Sequence, residues 1–198
     1  MTMPRRSTGR LSKRRLGRTS VLCAVAAMML VVLGWCGLIQ VFGPSVLPPW
    51  IPGTALLIAA IILNHTARRV RTGEKDRIMP VLWRVVSTMA AVGCVVAFIG
   101  DAFFSANYTV LKPSAPGGCR AVVRESSLLM SGAGQVYSIH PIGVGWRTGT
   151  WTADDGIRPI GDKQYELSWG VAGGLLTLRG DGRNPVYPSL HEPICHST

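Results

Sequence analysis

The chain predicts an integral membrane fold, with three transmembrane α-helices followed by a small antiparallel β domain that is either a sandwich or a partly open barrel. Three observations lead there. Long apolar runs fill the first half of the sequence and give way to strand-length runs after residue 105. Basic residues gather beside the apolar runs instead of spreading over the chain. Clean alternation of apolar and polar side chains begins only in the C-terminal part, as in "QYELSW".

The placement of charge decides how the basic composition is read. A formal net charge of +11 over 198 residues would suit a nucleic-acid-binding protein if it formed a patch on a folded domain. Instead, residues 1–20 carry Arg5, Arg6, Arg10, Lys13, Arg14, Arg15 and Arg18 with no acid, and the stretch 67–79 carries Arg68, Arg69, Arg71, Lys75 and Arg77 against Glu74 and Asp76. Residues 105–198 nearly balance, with eight positives against seven acids. The excess therefore signals membrane topology, and no nucleic-acid partner is expected.

Residues 1–20 read as a basic cytoplasmic arm ahead of a membrane region over 21–104. The first span, 21–42, is "VLCAVAAMMLVVLGWCGLIQVF", whose one clearly polar residue is Gln40. At about 1.5 Å per residue it crosses a hydrocarbon core of roughly 30 Å. It outruns the apolar core of a signal peptide, and no small-x-small site follows before "GPSVLPPW", so an uncleaved anchor is expected. Cys23 and Cys36 follow Leu22 and Trp35, which does not suit a lipid-attached cysteine. The second span, 46–63, opens with Pro48, Pro49 and Pro52, residues tolerated in a first helical turn. The third, 81–103, follows Pro80 and holds Arg84 and Asp101 near its ends, where a charged side chain can snorkel to the interface.

Direction follows from the arginines. With Arg14, Arg15, Arg18 and the loop 64–80, including Arg68, Arg69 and Arg71, on the cytoplasmic side, the positive-inside rule holds. Three crossings then put the N-terminus inside a cell membrane and everything after Ser105 outside. Trp35 and Trp50 at the outer ends and Trp83 at the inner end suit aromatic belts. Ala55 with Ala59, and Gly93 with Ala97, have the small-xxx-small spacing of closely packed helices. Within the spans, Ser87 and Thr88 are the only mid-span polar residues, and both can bond to their own helix backbone, so a transport path is not expected.

Residues 105–118 read as a linker and 119–198 as the extracytoplasmic β domain. "CRAVVRE", "SLLMS" and "QVYSIH" are candidate strands, the last two joined by a turn at "GAG". "QYELSW" and "LLTLR" form a predicted hairpin, with Tyr165, Leu167 and Trp169 on one face of the first strand and Leu176 and Leu178 on one face of the second. Trp146 and Trp151 point to opposite faces of a regular strand unless a bulge intervenes at Gly149.

Chemistry-bearing patterns are few. Ser126, Ser127, His140 and Asp155 could supply a hydrolytic trio, but no Gly-x-Ser-x-Gly elbow frames either serine. Asp154, Asp155 and Asp181 stand beside glycines without the ligand spacing of a calcium loop, so turns are expected. No catalytic residue and no cofactor are assigned. Cys23, Cys36 and Cys94 lie in the spans, whereas Cys119 and Cys195 bracket the outer domain and read as a disulfide in an oxidising compartment. Closing a loop of about 75 residues stabilises by up to roughly 4 kcal/mol in the chain-entropy treatment. A metal site at His191, Cys195 and His196, or free thiols, are the alternatives.

The tract from "CRAVVRESSLLMSGAGQVYSI" through "GWRTGTWTADDGIRPI" to "PSLHEPIC" resembles the C-terminal part of small membrane proteins of high-GC actinobacteria that have no assigned function. The resemblance covers about 75 residues and implies a bacterial envelope setting; it carries no catalytic motif. The expected function is non-catalytic: display of an extracytoplasmic β domain that binds a protein partner or an envelope polymer, with the lipid bilayer as the other partner. The alternatives are a metal-binding or hydrolytic outer domain, motivated by His140, His191 and His196, and an accessory subunit acting through its helices. The sequence leaves the oligomeric state open.

Overall fold

The computed structural model describes residues 8–69, 78–171, 173–180 and 184–192. In chain order the elements are α1 (Thr8–Trp35), β1 (Leu38–Phe42), β2 (Ser45–Leu47), α2 (Trp50–Arg69), α3 (Ile78–Phe103), β3 (Asn107–Val110), β4 (Arg120–Leu128), β5 (Ser131–Ile139), β6 (Val144–Asp154), β7 (Tyr165–Gly170), β8 (Gly173–Leu178), β9 (Val186–Tyr187) and β10 (Leu190–His191). They form two units, one of residues 1–33 and 50–96, the other of residues 34–49 and 97–198.

The first unit is helical. Three stretches, Leu16–Trp35, Trp50–Ala67 and Val81–Phe103, are long and apolar enough to cross a membrane. Their contacts come in layers: Ala24, Ala60 and Trp83 form one cluster, and Ala27, Leu57 and Ala90 the next. Beyond these, a Cβ added to Gly93 would stand 2.5 Å from Val31 Cγ1, and one on Gly53 would stand 3.3 Å from Cys94 Sγ. Small side chains at three- and four-residue spacing thus let the backbones approach, the mode of packing that helices use where no hydrophobic driving force is available. The small residues of α2 in this interface are Gly53 and Ala60. Ala55 is exposed and Ala59 half-buried, since at about 100° per residue both lie on the far side of the helix from Leu57. Ala97, beyond this unit, is half-buried. Trp83 packs into the helix interface instead of lying exposed as an aromatic belt would. Leu22, Met29, Ile58, Ile61, Val85 and Val92 are exposed, an apolar exterior suited to lipid.

The second unit begins inside what the sequence presents as the first span. Helix α1 stops at Trp35; Gly37 takes φ 101°, which a helix cannot continue through, and the β-branched run that follows pairs as strands. β1 and β2 form a hairpin, Gln40 opposite Leu47, and β1 pairs antiparallel with β6, Leu38 opposite Trp146. Residues 38–42 and 45–47 are thus strands joined by a turn, and α2 starts only at Trp50.

The main sheet runs β2-β1-β6-β5-β4-β3, with β9 added to the far half of β6. Its outer strands β2 and β3 come together, so the antiparallel sheet is nearly closed as a barrel. Ile39, Val41, Val122, Tyr137 and Ile139 fill one face, with Val46, Tyr108 and Val110 packed beside them. The opposite face of β4 and β5 presents Ala121, Val123 and Val136 to a second, three-stranded sheet of order β10-β8-β7. Leu176 and Leu178 of β8, together with Trp151, close that core, and Tyr165, Leu167 and Trp169 of β7 pack against it. The β7–β8 hairpin keeps the predicted alternation, Tyr165 opposite Leu178.

Two expectations about the domain change. Within the segment 105–118 expected as a linker, Asn107–Val110 form β3, which pairs with β4, and Leu111 after it is fully buried. The turn expected at "GAG" lies instead at Leu129 and Met130, and Gly132, Ala133 and Gly134 are interior to β5. These glycines mark close approach: a Cβ on Gly134 would lie 2.1 Å from the Trp151 indole, and one on Gly132 would lie 2.5 Å from the Ile157 carbonyl oxygen. The register of β5 against β6 shifts at Val136/Tyr137, leaving Thr148 as the extra residue between Arg147 and Gly149. Trp151 is fully buried beyond that bulge, and Trp146 is about half exposed before it.

Candidate functional site

Charged residues on β4 serve both faces of a strand that is apolar on both sides. Val122 and Val123 are each fully buried, so the next two residues, Arg124 and Glu125, carry opposite charges into two separate interiors.

Arg124 shares the face of Val122. It lies directly opposite Tyr108 on β3 and Gln135 on β5, so three polar side chains form a row across the sheet. The last turn of α3 brings Asp101 to this row. Arg124 Nη2 donates to Asp101 Oδ1 at 2.7 Å and Nε to the same oxygen at 3.1 Å, while the Tyr108 hydroxyl donates to Asp101 Oδ2 at 3.0 Å. The guanidinium also stands 5.9 Å from the Tyr108 ring centroid, within cation–π range. One residue pair along, the Tyr137 hydroxyl donates to Gln135 Oε1. Burial and the adjacent Asp101 carboxylate push the Tyr108 phenol well above its ordinary value. Burial works against the Arg124 guanidinium, but Tyr108 and Asp101 outweigh it and hold the group charged. Tyr137 is raised by burial, partly offset by Arg124 and Arg147. Asp101, read from sequence as a snorkelling charge, thus has its partners in β3 and β4.

Glu125 enters the other interior and is 1% exposed. Its Oε1 accepts from the Ile160 amide and its Oε2 from the Gly161 amide, each at 2.9 Å. Burial raises the carboxyl above its usual range, and the two amides and Arg158 offset this only in part. The loop between β6 and β7 is held at this carboxylate. Arg158 adds a second tie, donating to the Ser127 hydroxyl at 2.7 Å and to the Ser105 carbonyl at 3.0 Å.

A shallow open cleft of about 550 Å³ lies along the second sheet, lined by Lys163, Gln164, Tyr165, Glu166, Arg179 and Gly180. Glu166 and Arg179 form an exposed ion pair across it at 2.7 Å. Gln164 Oε1 is buried with no hydrogen-bond partner among the described residues.

The remaining sequence candidates fall as follows. Ser127 pairs with Gly132 at one end of the β4–β5 hairpin, whereas His140 lies exposed just past the other end of β5, about 25 Å away at the usual strand rise. Ser126 donates to the Ala133 carbonyl at 3.3 Å, and Asp155 takes φ 55° in a turn. These residues do not converge on one site. His191 is buried over Gly149, whose added Cβ would meet Nδ1 at 2.7 Å, and burial lowers the imidazole below its ordinary value against a bond to the Pro188 backbone. Its Nε2 has no hydrogen-bond partner among the described residues. Cys195 and His196 lie outside the described residues, and no group of three metal-ligating side chains occurs among those described. Cys119 is buried at the head of β4, with Sγ 3.7 Å from Ser138 Oγ. Of the topology arginines, Arg14, Arg15 and Arg18 are on α1, Arg68 and Arg69 end α2, and Arg71 lies outside the described residues.

Sequence reasoning missed both uses of β4. The signal was present in "VVRE": two consecutive valines imply a strand buried on both faces, so each following charge needs an internal partner. No family model, no curated protein and no solved structure matches the chain.

Proposed function

We propose that this is a three-span protein of a bacterial cell membrane, with its basic ends in the cytoplasm and its β unit outside, where it binds a protein partner or an envelope polymer without chemical turnover. The observation that carries the reading is the pairing of β1 with β6. β1 follows α1, and β6 follows α3, so the chain leaving the first helix and the chain leaving the third meet in one sheet. Three crossings, with α2 returning between them, satisfy that pairing. In the sequence, Arg14, Arg15 and Arg18 precede the first apolar stretch and Arg68, Arg69 and Arg71 fall between the second and third, the distribution the positive-inside rule associates with the cytoplasm.

The cleft beside the Glu166–Arg179 pair is the surface that best suits a polar ligand, because Lys163, Glu166 and Arg179 bring charged side chains of both signs to its lining. A disulfide between Cys119 and Cys195 belongs to the same reading: Cys119 is buried at the domain entrance, and an external compartment would oxidise the pair. A membrane-impermeant thiol reagent applied to intact cells tests topology and pairing together. Labelling of both cysteines only after reduction is expected; no labelling after reduction, with lysed cells positive, overturns the orientation. For binding, a photo-crosslinker at Lys163 in living cells is expected to trap a partner, and the loss of that product in Gln164→Ala would assign it to the cleft.

A further inference from the structure

We infer that the tip of the β4–β5 hairpin, Leu129 and Met130, is an interfacial anchor that dips into the headgroup boundary of the bilayer beside the end of α3; this rests on the three-span reading above. β3 carries the chain away from α3, and β4 brings it back antiparallel, Asn107 opposite Glu125. The return continues past the strand pairing: the Ser127 amide donates to the Phe104 carbonyl at 3.0 Å, one residue beyond the helix. From there the hairpin runs on toward the helix by two or three residues, about 7–10 Å, before it turns.

What sits at that turn is unsuited to water. A two-residue hairpin loop ordinarily uses Asn-Gly or Asp-Gly, which accept positive φ and hydrogen-bond to solvent. Here Leu129 takes φ 52°, and Leu129 and Met130 are 92% and 79% exposed. Phe103 and Phe104, exposed at 65% and 40%, lie in edge contact with ring centroids 5.7 Å apart. Four large apolar side chains are thus presented where an apolar helix of membrane-crossing length ends. Arg158, bonded to Ser105 and Ser127, stands just behind the tip, where a cation meets lipid phosphates when the apolar groups ahead of it are immersed. Continuity with α3 is what selects lipid as the occupant.

Spin labelling of the full chain in phosphatidylcholine–phosphatidylglycerol vesicles tests this. Cys23, Cys36 and Cys94 are replaced by alanine, and a nitroxide is placed by Met130→Cys, by Leu129→Cys, by Ile142→Cys at the opposite end of β5, or by Val92→Cys within α3. Accessibility to oxygen relative to a water-soluble nickel chelate is expected to be several-fold higher at 129 and 130 than at 142, and highest at 92. Equal ratios at 130 and 142, with 92 lipid-immersed, overturn the anchor and leave the three-span reading standing. Labels at 129 and 130 shielded from both reagents, or broadened by a second nitroxide, overturn it in favour of contact with a second copy. A label at 92 exposed to the nickel chelate sinks the three-span reading itself.

Discussion

Asp101 and Arg124 lie 2.7 Å apart, and this pair fastens the last turn of α3 to the fourth strand of the β unit. Each side chain is only 17% exposed, so the pair is worth more than a surface bridge, and either partner alone would be a buried charge. Asp101→Asn and Arg124→Met are each expected to destabilise the β unit by about 3 kcal/mol. The double variant should cost less than the two losses added. Chemical unfolding in detergent micelles, followed by tryptophan fluorescence, measures the cycle; simple additivity would refute the coupling.

Glu125 makes stability depend on pH with a definite sign. Its folded-state value is raised above the ordinary 4.5, so its contribution is complete below that value and is lost as pH rises through the folded-state value. Relative to Glu125→Gln, the natural protein should therefore lose stability as pH climbs above about 4.5, by about 1.4 kcal/mol for each pH unit separating the folded and unfolded values. Unfolding midpoints recorded from pH 4 to pH 8 check this. A constant difference between the two proteins would show that Glu125 does not titrate within the range.

His191 acts in the opposite sense. Burial lowers its folded value below the ordinary 6.5, so its contribution is present above 6.5 and is lost as pH falls through the folded value. His191→Asn should remove the part of the acid sensitivity that sets in just below 6.5 while preserving stability differences at neutral pH. An unchanged acid limb in the variant would transfer that sensitivity to other groups.

The glycines of β5 report packing. Gly134→Ala drives a methyl group into the Trp151 indole and should cost about 1–3 kcal/mol or more by overpacking. Gly117→Ala, with nothing within 4 Å, should stay within about 0.5 kcal/mol of the natural protein. Similar thermal midpoints for the two would contradict the close approach.

In the helical unit, Gly93→Leu should disrupt packing against Val31 and lower the thermal midpoint in detergent, whereas Ala55→Leu, on an exposed face, should leave it nearly unchanged. The reverse order would restore Ala55 and Ala59 as the interface.

Three long apolar helices and an antiparallel sheet were legible in the sequence by itself, because hydrophobic run length and two-residue alternation are local properties. "QYELSW" has one apolar face whatever surrounds it. Where helix gives way to strand was not legible: "GLIQVF" is as apolar as the helix before it, and only pairing with Val144, Gly145 and Trp146 on β6, a hundred residues later, makes it β1. The glycines at 132 and 134 read as a turn because sequence shows their missing side chains but not the indole and carbonyl that occupy the space. Asp101 likewise reads as an end-of-helix charge until β4 folds back to meet it. Composition and periodicity determined the kinds of element; long-range pairing decided their boundaries and the partners of each buried charge, since the energy of burying Arg124 or Glu125 depends on groups that only the folded chain brings within reach.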